Sequence, residues 1–390
     1  MQTTPTVVTP SVLIYVQHLL GTGHVVRAAA IGRALRRRGC AVTMVCGNTP
    51  PPTLDTDGLT IIALPPVRAS DATFQELIDE HGEPITDQWK DRRRERLLEV
   101  FDACQPDILL TETYPFGRRQ LAFELKPLME KARARAGTRL IAGSVRDILV
   151  PKADRRKEEE MAETALRYFD LILVHSDPGM VKLDDSFPFA HRVAHLVTYT
   201  GYVYLANRAE PSPLEGIDEV IVSCGGGVGA LHLLRCALNA RSLSTRAGGA
   251  TWRLLVGHHL DEAVFSSLVS ANGDGVIVER ARPDFPRLLD RARLSISQAG
   301  YNTTLDVLAS GVPSVLVPFA QEGESEQTMR ALALAGRERV ICVKETTLTP
   351  DILARAADAA LALPRVENPT DMNGARASAD TLIREWEKRR

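Results

Sequence analysis

The residues from Leu294 to Ala331 are those whose types and spacing are most suited to chemistry. A short apolar run, Leu294–Ser297, leads to Gly300 and then to Tyr301-Asn302-Thr303-Thr304, which reads as the opening of a helix, with an acid, Asp306, one turn in. Free N–H groups at a glycine-led helix start, together with the helix dipole, favour a phosphate there. A carboxylate one turn further on can accept two hydrogen bonds from ribose hydroxyls. A Gly311-Val312-Pro313 break follows, then a second apolar strand, Ser314–Pro318, and a polar loop ending in Glu326-Gln327. Strand, phosphate turn, acid and distal polar loop together describe a nucleotide-sugar pocket.

Two other glycine turns follow strand-like runs: Gly21-Thr22-Gly23-His24, and Gly225-Gly226-Gly227-Val228-Gly229. A dinucleotide oxidoreductase would need a third glycine where Val26 stands, and an acid at the tip of the second strand, which instead ends Cys46-Gly47-Asn48. His24 stands at the mouth of the first turn, where an imidazole can act as a base or contact a phosphate. Arg27, one turn along the same helix, makes that entrance cationic. Two patterns that resemble metal sites are set aside. Asp55-Thr56-Asp57 lies in a Pro-rich loop, and His258-His259 has no third ligand at metal spacing, so no metal site is expected.

These residues must be carried by strands and helices in alternation. Val12–Gln17, Ala41–Cys46, Thr60–Leu64, Asp107–Thr111, Arg139–Ser144 and Leu171–His175 read as short buried strands separated by helices. Phe74–Gly82 reads as one of those helices. The pattern breaks from Val197 to Gly216, which reads as a linker with a hinge at Thr200–Glu210. It restarts at Glu219–Ser223, and the tail, Gly374–Arg390, reads as an amphipathic helix. Short strands alternating with helices imply parallel, doubly wound sheets. The expected fold is therefore α/β, with two Rossmann-like domains facing each other across a cleft. Residues 1–205 form the first domain and 206–390 the second, with the last helix, about 374–390, a candidate to pack back on the first.

Composition sets outer bounds. The 390 residues suit about two domains. A net charge of −2 gives no global electrostatic case for nucleic acid. Basic clusters at Arg36–Arg38, Arg92–Arg94 and Arg155–Lys157 read as solvated helix faces, with docking on an anionic membrane or phosphorylated acceptor as the alternative. The six cysteines include no Cys-x-x-Cys pair and suit a reducing compartment. With neither a signal peptide nor a membrane-length apolar run, a cytoplasmic location is expected.

The cassette at 294–331 resembles that of the GT-B glycosyltransferases with a family 28 type C-terminal domain. The opening Gln-His-Leu-Leu-Gly-x-Gly-His-x-x-Arg-Ala (Gln17–Ala28) resembles that of a bacterial group of predicted glycosyltransferases, as do PFGRRQ (Pro115–Gln120), SVRDILV (Ser144–Val150) and TGYV (Thr200–Val203). The resemblance covers most of the chain and implies a role for each matching position. Asp306 would bind the uridine ribose, and Gly300, Tyr301, Asn302 and Thr303 the phosphates. The backbone of Arg282 would face the uracil edge. Glu326 and Gln327 would read donor-sugar hydroxyls. Gly225, Gly226 and Gly227 would lie near the diphosphate, and Gly21, Gly23 and Arg27 on the acceptor side. Departures from the family pattern are Arg27 in the first loop, Gly227 in place of a serine, and Glu326 where many relatives have Asp.

The resemblance implies inverting transfer from a UDP-sugar to an acceptor hydroxyl, with no metal and no cofactor beyond the donor. His24 is the first candidate for the base; Glu112 and Asp147, each just after a strand, are alternatives. Two other classes keep the fold. One is a UDP-sugar hydrolase or 2-epimerase, since the Gly-x-Gly-His-x-x-Arg turn also resembles hydrolases of nonulosonate synthesis. The other is a non-catalytic nucleotide-sugar-binding protein.

Overall fold

The computed structural model describes residues 9–19, 23–51, 54–70, 76–152, 154–205, 211–224, 230–258, 260–319, 326–365 and 370–390. The chain divides into two units, Met1–Tyr204 with Asp371–Arg390, and Leu205–Thr370.

The first unit runs β1 (Ser11–Val16), α1 (Gly23–Arg37), β2 (Ala41–Cys46), β3 (Thr60–Ala63), β4 (Arg68–Ala69), β5 (Leu77–Ile78), α2 (Asp87–Cys104), β6 (Ile108–Glu112), α3 (Ala122–Ala134), β7 (Leu140–Arg146), α4 (Arg155–Tyr168), β8 (Leu171–His175), α5 (Ala190–Val193) and β9 (Val197–Tyr199). Its parallel sheet has the order β3-β2-β1-β6-β7-β8-β9. Alternate residues of β1 explain the layering. Leu13 and Tyr15 pack with α2, α3 and α4, whereas Val12, Ile14 and Val16 pack with α1. A parallel strand buried on both faces has no polar side to show, hence the continuous run of apolar residues.

The second unit runs β10 (Val220–Ser223), α6 (Ala230–Ala240), β11 (Trp252–Val256), α7 (Glu262–Ser270), β12 (Val276–Arg280), α8 (Phe285–Arg291), β13 (Leu294–Ser297), α9 (Tyr301–Ser310), β14 (Ser314–Leu316), α10 (Glu326–Ala335), β15 (Ile341–Cys342) and α11 (Pro350–Ala360). Its sheet order, β12-β11-β10-β13-β14-β15, repeats the same reversal. The final helix, α12 (Gly374–Glu387), belongs to the first unit. Leu382 and Trp386 join the apolar cluster of Ile31 and Leu35, and Tyr202 exchanges backbone bonds with Asp371 (2.7 Å) and Gly374 (2.9 Å).

Three readings need correction. Val197–Tyr199 is a strand paired with β8, so the linker starts later than its Gly/Pro content suggested; a three-residue edge strand is too short to show a period. Within the expected helix Phe74–Gly82, Leu77–Ile78 pairs antiparallel with Arg68–Ala69. The turn that follows is closed by Gly82 at φ +86° and by Asp79, whose carboxylate accepts from the amides of His81 and Glu83. Arg93, in an expected solvated face, is wholly buried: it donates to Glu124 (2.7 Å), Gln17 (2.7 Å) and the carbonyl of Gly47 (2.9 Å).

Candidate functional site

Both sheets reverse strand order beside their first strand, between β1 and β6 and between β10 and β13. Connections leave such a switch point in opposite directions and open a crevice at the carboxyl ends of the strands, where ligands bind in open α/β sheets. The sequence-predicted residues gather at these two places.

In the first unit, α1 starts at Gly23 with no acid in its first turn, and a Cβ placed on Gly23 would meet nothing within 4 Å. His24 follows, and its ring is 21% exposed. All of its polar contacts run through Nδ1: Glu112 Oε1 at 3.0 Å, the Thr113 hydroxyl at 3.0 Å and an Arg27 nitrogen at 3.1 Å. Nε2 is bare among the described residues. Glu112, the last residue of β6, is 1% exposed and forms a buried ion pair with Arg27. Thr113 has φ +73°, a costly conformation for a β-branched residue, and this strained turn brings its hydroxyl to His24.

The electrostatics follow from these contacts. Burial alone would push the Glu112 carboxyl up, but Arg27 and the His24 hydrogen bond outweigh it and hold Glu112 ionised, well below the usual range. For His24, burial lowers the pKa, Glu112 resists, and Arg27 and Arg118 add to the lowering, giving about 4. His24 is therefore neutral near pH 7. With an ionised carboxylate at Nδ1, the favoured tautomer places the proton there and the lone pair on Nε2. A neutral imidazole oriented by a buried carboxylate can take a proton from a hydroxyl. Two of the three candidate bases thus form one pair. Asp147 is wholly buried, and its carboxylate accepts from the amide of Ile148 (2.9 Å).

In the second unit, β13 leads through Gln298 and Ala299 to Gly300, which caps α9 with no side-chain hydrogen bond. Gly300 thus offers the first-turn amides no side chain of its own, and a Cβ placed on it would meet nothing within 4 Å. Asn302 is exposed, while Thr303 and Asp306 are half-buried three residues apart, on one face of α9. Gly311, at φ +64°, ends the helix in the left-handed conformation that glycine tolerates. Arg282 donates to Asp284 (2.6 Å), Glu215 (2.7 Å) and Glu279 (3.3 Å), so carboxylates hold its side chain.

Glu326 is 7% exposed and paired with Arg330 at 2.7 Å, and the Gln327 side chain accepts from the amide of Phe319 (3.2 Å). Arg330 also donates to the Ala299 carbonyl (3.0 Å) and lies over the Tyr301 ring, tying α10 to the Gly300 turn. Sequence reasoning missed Arg330; its i, i+4 spacing from Glu326 was the available signal. Gly21, Gly225, Gly226 and Gly227 lie outside the described residues. Among the described residues, no three His, Cys, Asp or Glu side chains converge as metal ligands, and no helix is long and apolar enough to cross a membrane.

Comparison with known proteins places this geometry. Residues 220–383 match the glycosyltransferase family 28 C-terminal domain. Among curated relatives, the UDP-N-acetylglucosamine--N-acetylmuramyl-(pentapeptide) pyrophosphoryl-undecaprenol N-acetylglucosamine transferase of Synechococcus sp. (strain JA-3-3Ab) is 35% identical over 22% of this chain and 24% of its own length. The enzyme of the same name from Synechococcus sp. (strain JA-2-3B'a(2-13)) is 28% identical over 40% of this chain and 41% of its own. The chain thus spans less than half the length of these relatives. Among solved structures, MurG of Acinetobacter baumannii superposes with a TM-score of 0.63 at 15% identity, covering 96% of this chain and all of that one. The glycosyltransferase VinC in complex with dTDP does so at 0.60 and 14% identity, covering 97% and 96%.

Proposed function

We propose that this chain, which has the GT-B fold of two Rossmann-like domains and matches the family 28 C-terminal domain over residues 220–383, is a glycosyltransferase that moves a sugar from a UDP-sugar to an acceptor hydroxyl with inversion. The observation that carries this reading is the His24–Glu112 pair, with Nδ1 engaged and Nε2 bare among the described residues. The acceptor hydroxyl gives its proton to Nε2 as its oxygen bonds to the anomeric carbon. The bond from that carbon to the donor phosphate breaks, and the nucleoside diphosphate leaves with the electron pair. Glu112 stabilises the imidazolium that forms and is not itself protonated. Charge growing on the diphosphate meets the uncapped amides and dipole of α9. Asp306 accepts from the ribose hydroxyls, and Glu326 and Gln327 lie where the donor sugar is read. No step calls on a metal or a further cofactor.

Uridine as the donor base is supported by the Asp306 cassette and by the UDP-N-acetylglucosamine in the names of the curated relatives. The dTDP in the VinC complex makes thymidine the natural competitor. Six free cysteines support a reducing, cytoplasmic setting. A thermal-shift series with UDP-, GDP- and dTDP-sugars tests the donor, and stabilisation by GDP- or adenine nucleotides without UDP would overturn it. Incubation with donor alone tests the reaction: hydrolysis as fast as any transfer would favour a hydrolase. The anomeric configuration of the product tests inversion.

A further inference from the structure

Beyond Glu112 lie three buried polar side chains that the reaction as written does not use. Ser144, His175 and Thr200 are 1%, 0% and 3% exposed. Glu112 ends β6, Ser144 lies opposite it in β7, His175 ends β8 and Thr200 follows β9. Four neighbouring strands of one sheet thus each place a polar group at their carboxyl ends. The Ser144 hydroxyl is 2.5 Å from Glu112 Oε2 and 2.8 Å from His175 Nε2, and His175 Nδ1 is 2.8 Å from the Thr200 hydroxyl. Polar groups buried in a sheet are costly unless every member is satisfied, and a satisfied chain is rigid.

The directions from Glu112 to His175 are forced, while the Thr200 hydroxyl lies within reach of both His175 Nδ1 (2.8 Å) and the Gly201 carbonyl (3.0 Å). Ionised Glu112 can only accept, so Ser144 donates to it. The Ser144 oxygen then accepts from Nε2–H of His175, which fixes that ring as the Nε2-protonated neutral tautomer. Its Nδ1 must accept, and the Thr200 hydroxyl is the donor in reach. On the far side Glu112 accepts from Nδ1–H of His24. Donors therefore point at Glu112 from both ends of the chain.

The arrangement matters because a competing one is close by. An Arg27 nitrogen lies 3.1 Å from His24 Nδ1. If the carboxylate turned away, Arg27 would donate to Nδ1, the ring proton would sit on Nε2, and no base would remain. Without Ser144, Arg27 Nε, at 3.4 Å, is the next donor to Oε2 among the described residues.

We propose that Ser144 and His175, backed by Thr200, are positioning residues that lock the Glu112 carboxylate against His24 Nδ1 and so keep Nε2 bare. This rests on the reading of His24 as the base. The test uses the full chain labelled with 15N-histidine, read by ring-nitrogen NMR and by steady-state kinetics. Variants are Ser144→Ala, His175→Leu and His175→Gln, the last keeping a donor where Nε2 stood. In the wild type, His24 carries its proton on Nδ1 and His175 on Nε2. Ser144→Ala and His175→Leu give mixed His24 tautomers and a kcat lower by about tenfold at unchanged donor KM. His175→Gln keeps the wild-type tautomer and most of the rate. An unmoved His24 tautomer in folded Ser144→Ala overturns the proposal, as does equal damage from Gln and Leu at 175. Full turnover in His24→Ala would instead sink the base assignment. If Ser144→Ala fails to fold, the Gln–Leu contrast at 175 still decides.

Discussion

Replacing Glu112 with Gln removes one charge and almost no volume, which isolates the electrostatics of the His24 cluster. Glu112 and Arg27 are 1% and 5% exposed. Removing one member of a buried pair leaves the other charge uncompensated and costs about 3–5 kcal/mol. The amide also offers one acceptor where four donors converge: Arg27, Ser144, the Thr113 hydroxyl and Nδ1 of His24. If its oxygen stays with Arg27 and His24, the Ser144 proton loses its acceptor. If it turns to Ser144, its NH2 group faces Nδ1 and drives the His24 proton to Nε2. In neither arrangement does a charge stabilise the imidazolium. The expected loss in kcat is between about 10² and 10⁴, the upper end applying where the wrong tautomer dominates. Urea unfolding measures the first effect, and turnover at saturating donor the second. The pH profile gives a third readout. His24 would lose the pull of Glu112 but keep Arg27 and Arg118 nearby, so its pKa falls further below about 4 and the acid limb of kcat/KM moves to lower pH. A stability change under about 1 kcal/mol with unchanged kcat, or an acid limb moved to higher pH, would refute the reasoning.

Other expectations follow from particular contacts. His24 and His175 have folded pKa values of about 4 and about 3, below the unfolded value of 6.5, so the unfolded chain binds more protons below pH 6.5. Stability therefore falls with pH below that point, by about 1.4 kcal/mol per unit for each histidine until its folded pKa is reached, and His175→Gln should flatten that limb in urea titrations at successive pH values. Asp306→Asn should weaken UDP-sugar binding about tenfold or more, read by calorimetry on the folded variant. Gly201 has φ +74°, and a Cβ there would come within 2.7 Å of the Asp371 carbonyl. Gly201→Ala should therefore destabilise the first unit by at least about 1 kcal/mol and raise proteolytic release of the α12 segment. Thr113→Gly should relieve about 1–2 kcal/mol of left-handed strain, holding or raising the melting temperature while turnover falls, because the hydroxyl at His24 is lost.

Much of the fold was legible because its signals are short. A buried parallel strand needs only four or five apolar residues, and a glycine or proline marks its end, so β1, β2, β6, β8, β10 and β13 could be located from sequence. Two-residue β4 and β5 and the three-residue edge strand β9 are shorter than any period, and their place comes from pairing partners alone. Arg93 shows the same limit for charge: three consecutive arginines look solvated in sequence, yet the middle one faces inward and finds Glu124, which lies 31 residues further along the chain.

The sequence by itself laid out the proposed donor cassette, since glycine turn, acid and helix stop lie within one helix length, at offsets set by 3.6 residues per turn. It also marked His24 as a candidate base but left Glu112 and Asp147 as equals beside it. Only the tertiary structure set Glu112 against His24 and buried Asp147 with its carboxylate on the amide of Ile148. It alone revealed Ser144, His175 and Thr200 behind Glu112, and it set α12, which the sequence had offered as a helix to pack back on the first domain, against α1. The physical reason is that a parallel sheet brings the carboxyl ends of its strands together however much chain separates them. A hydrogen-bond chain from residue 24 to residue 200 therefore has no spacing that a linear reading could recognise.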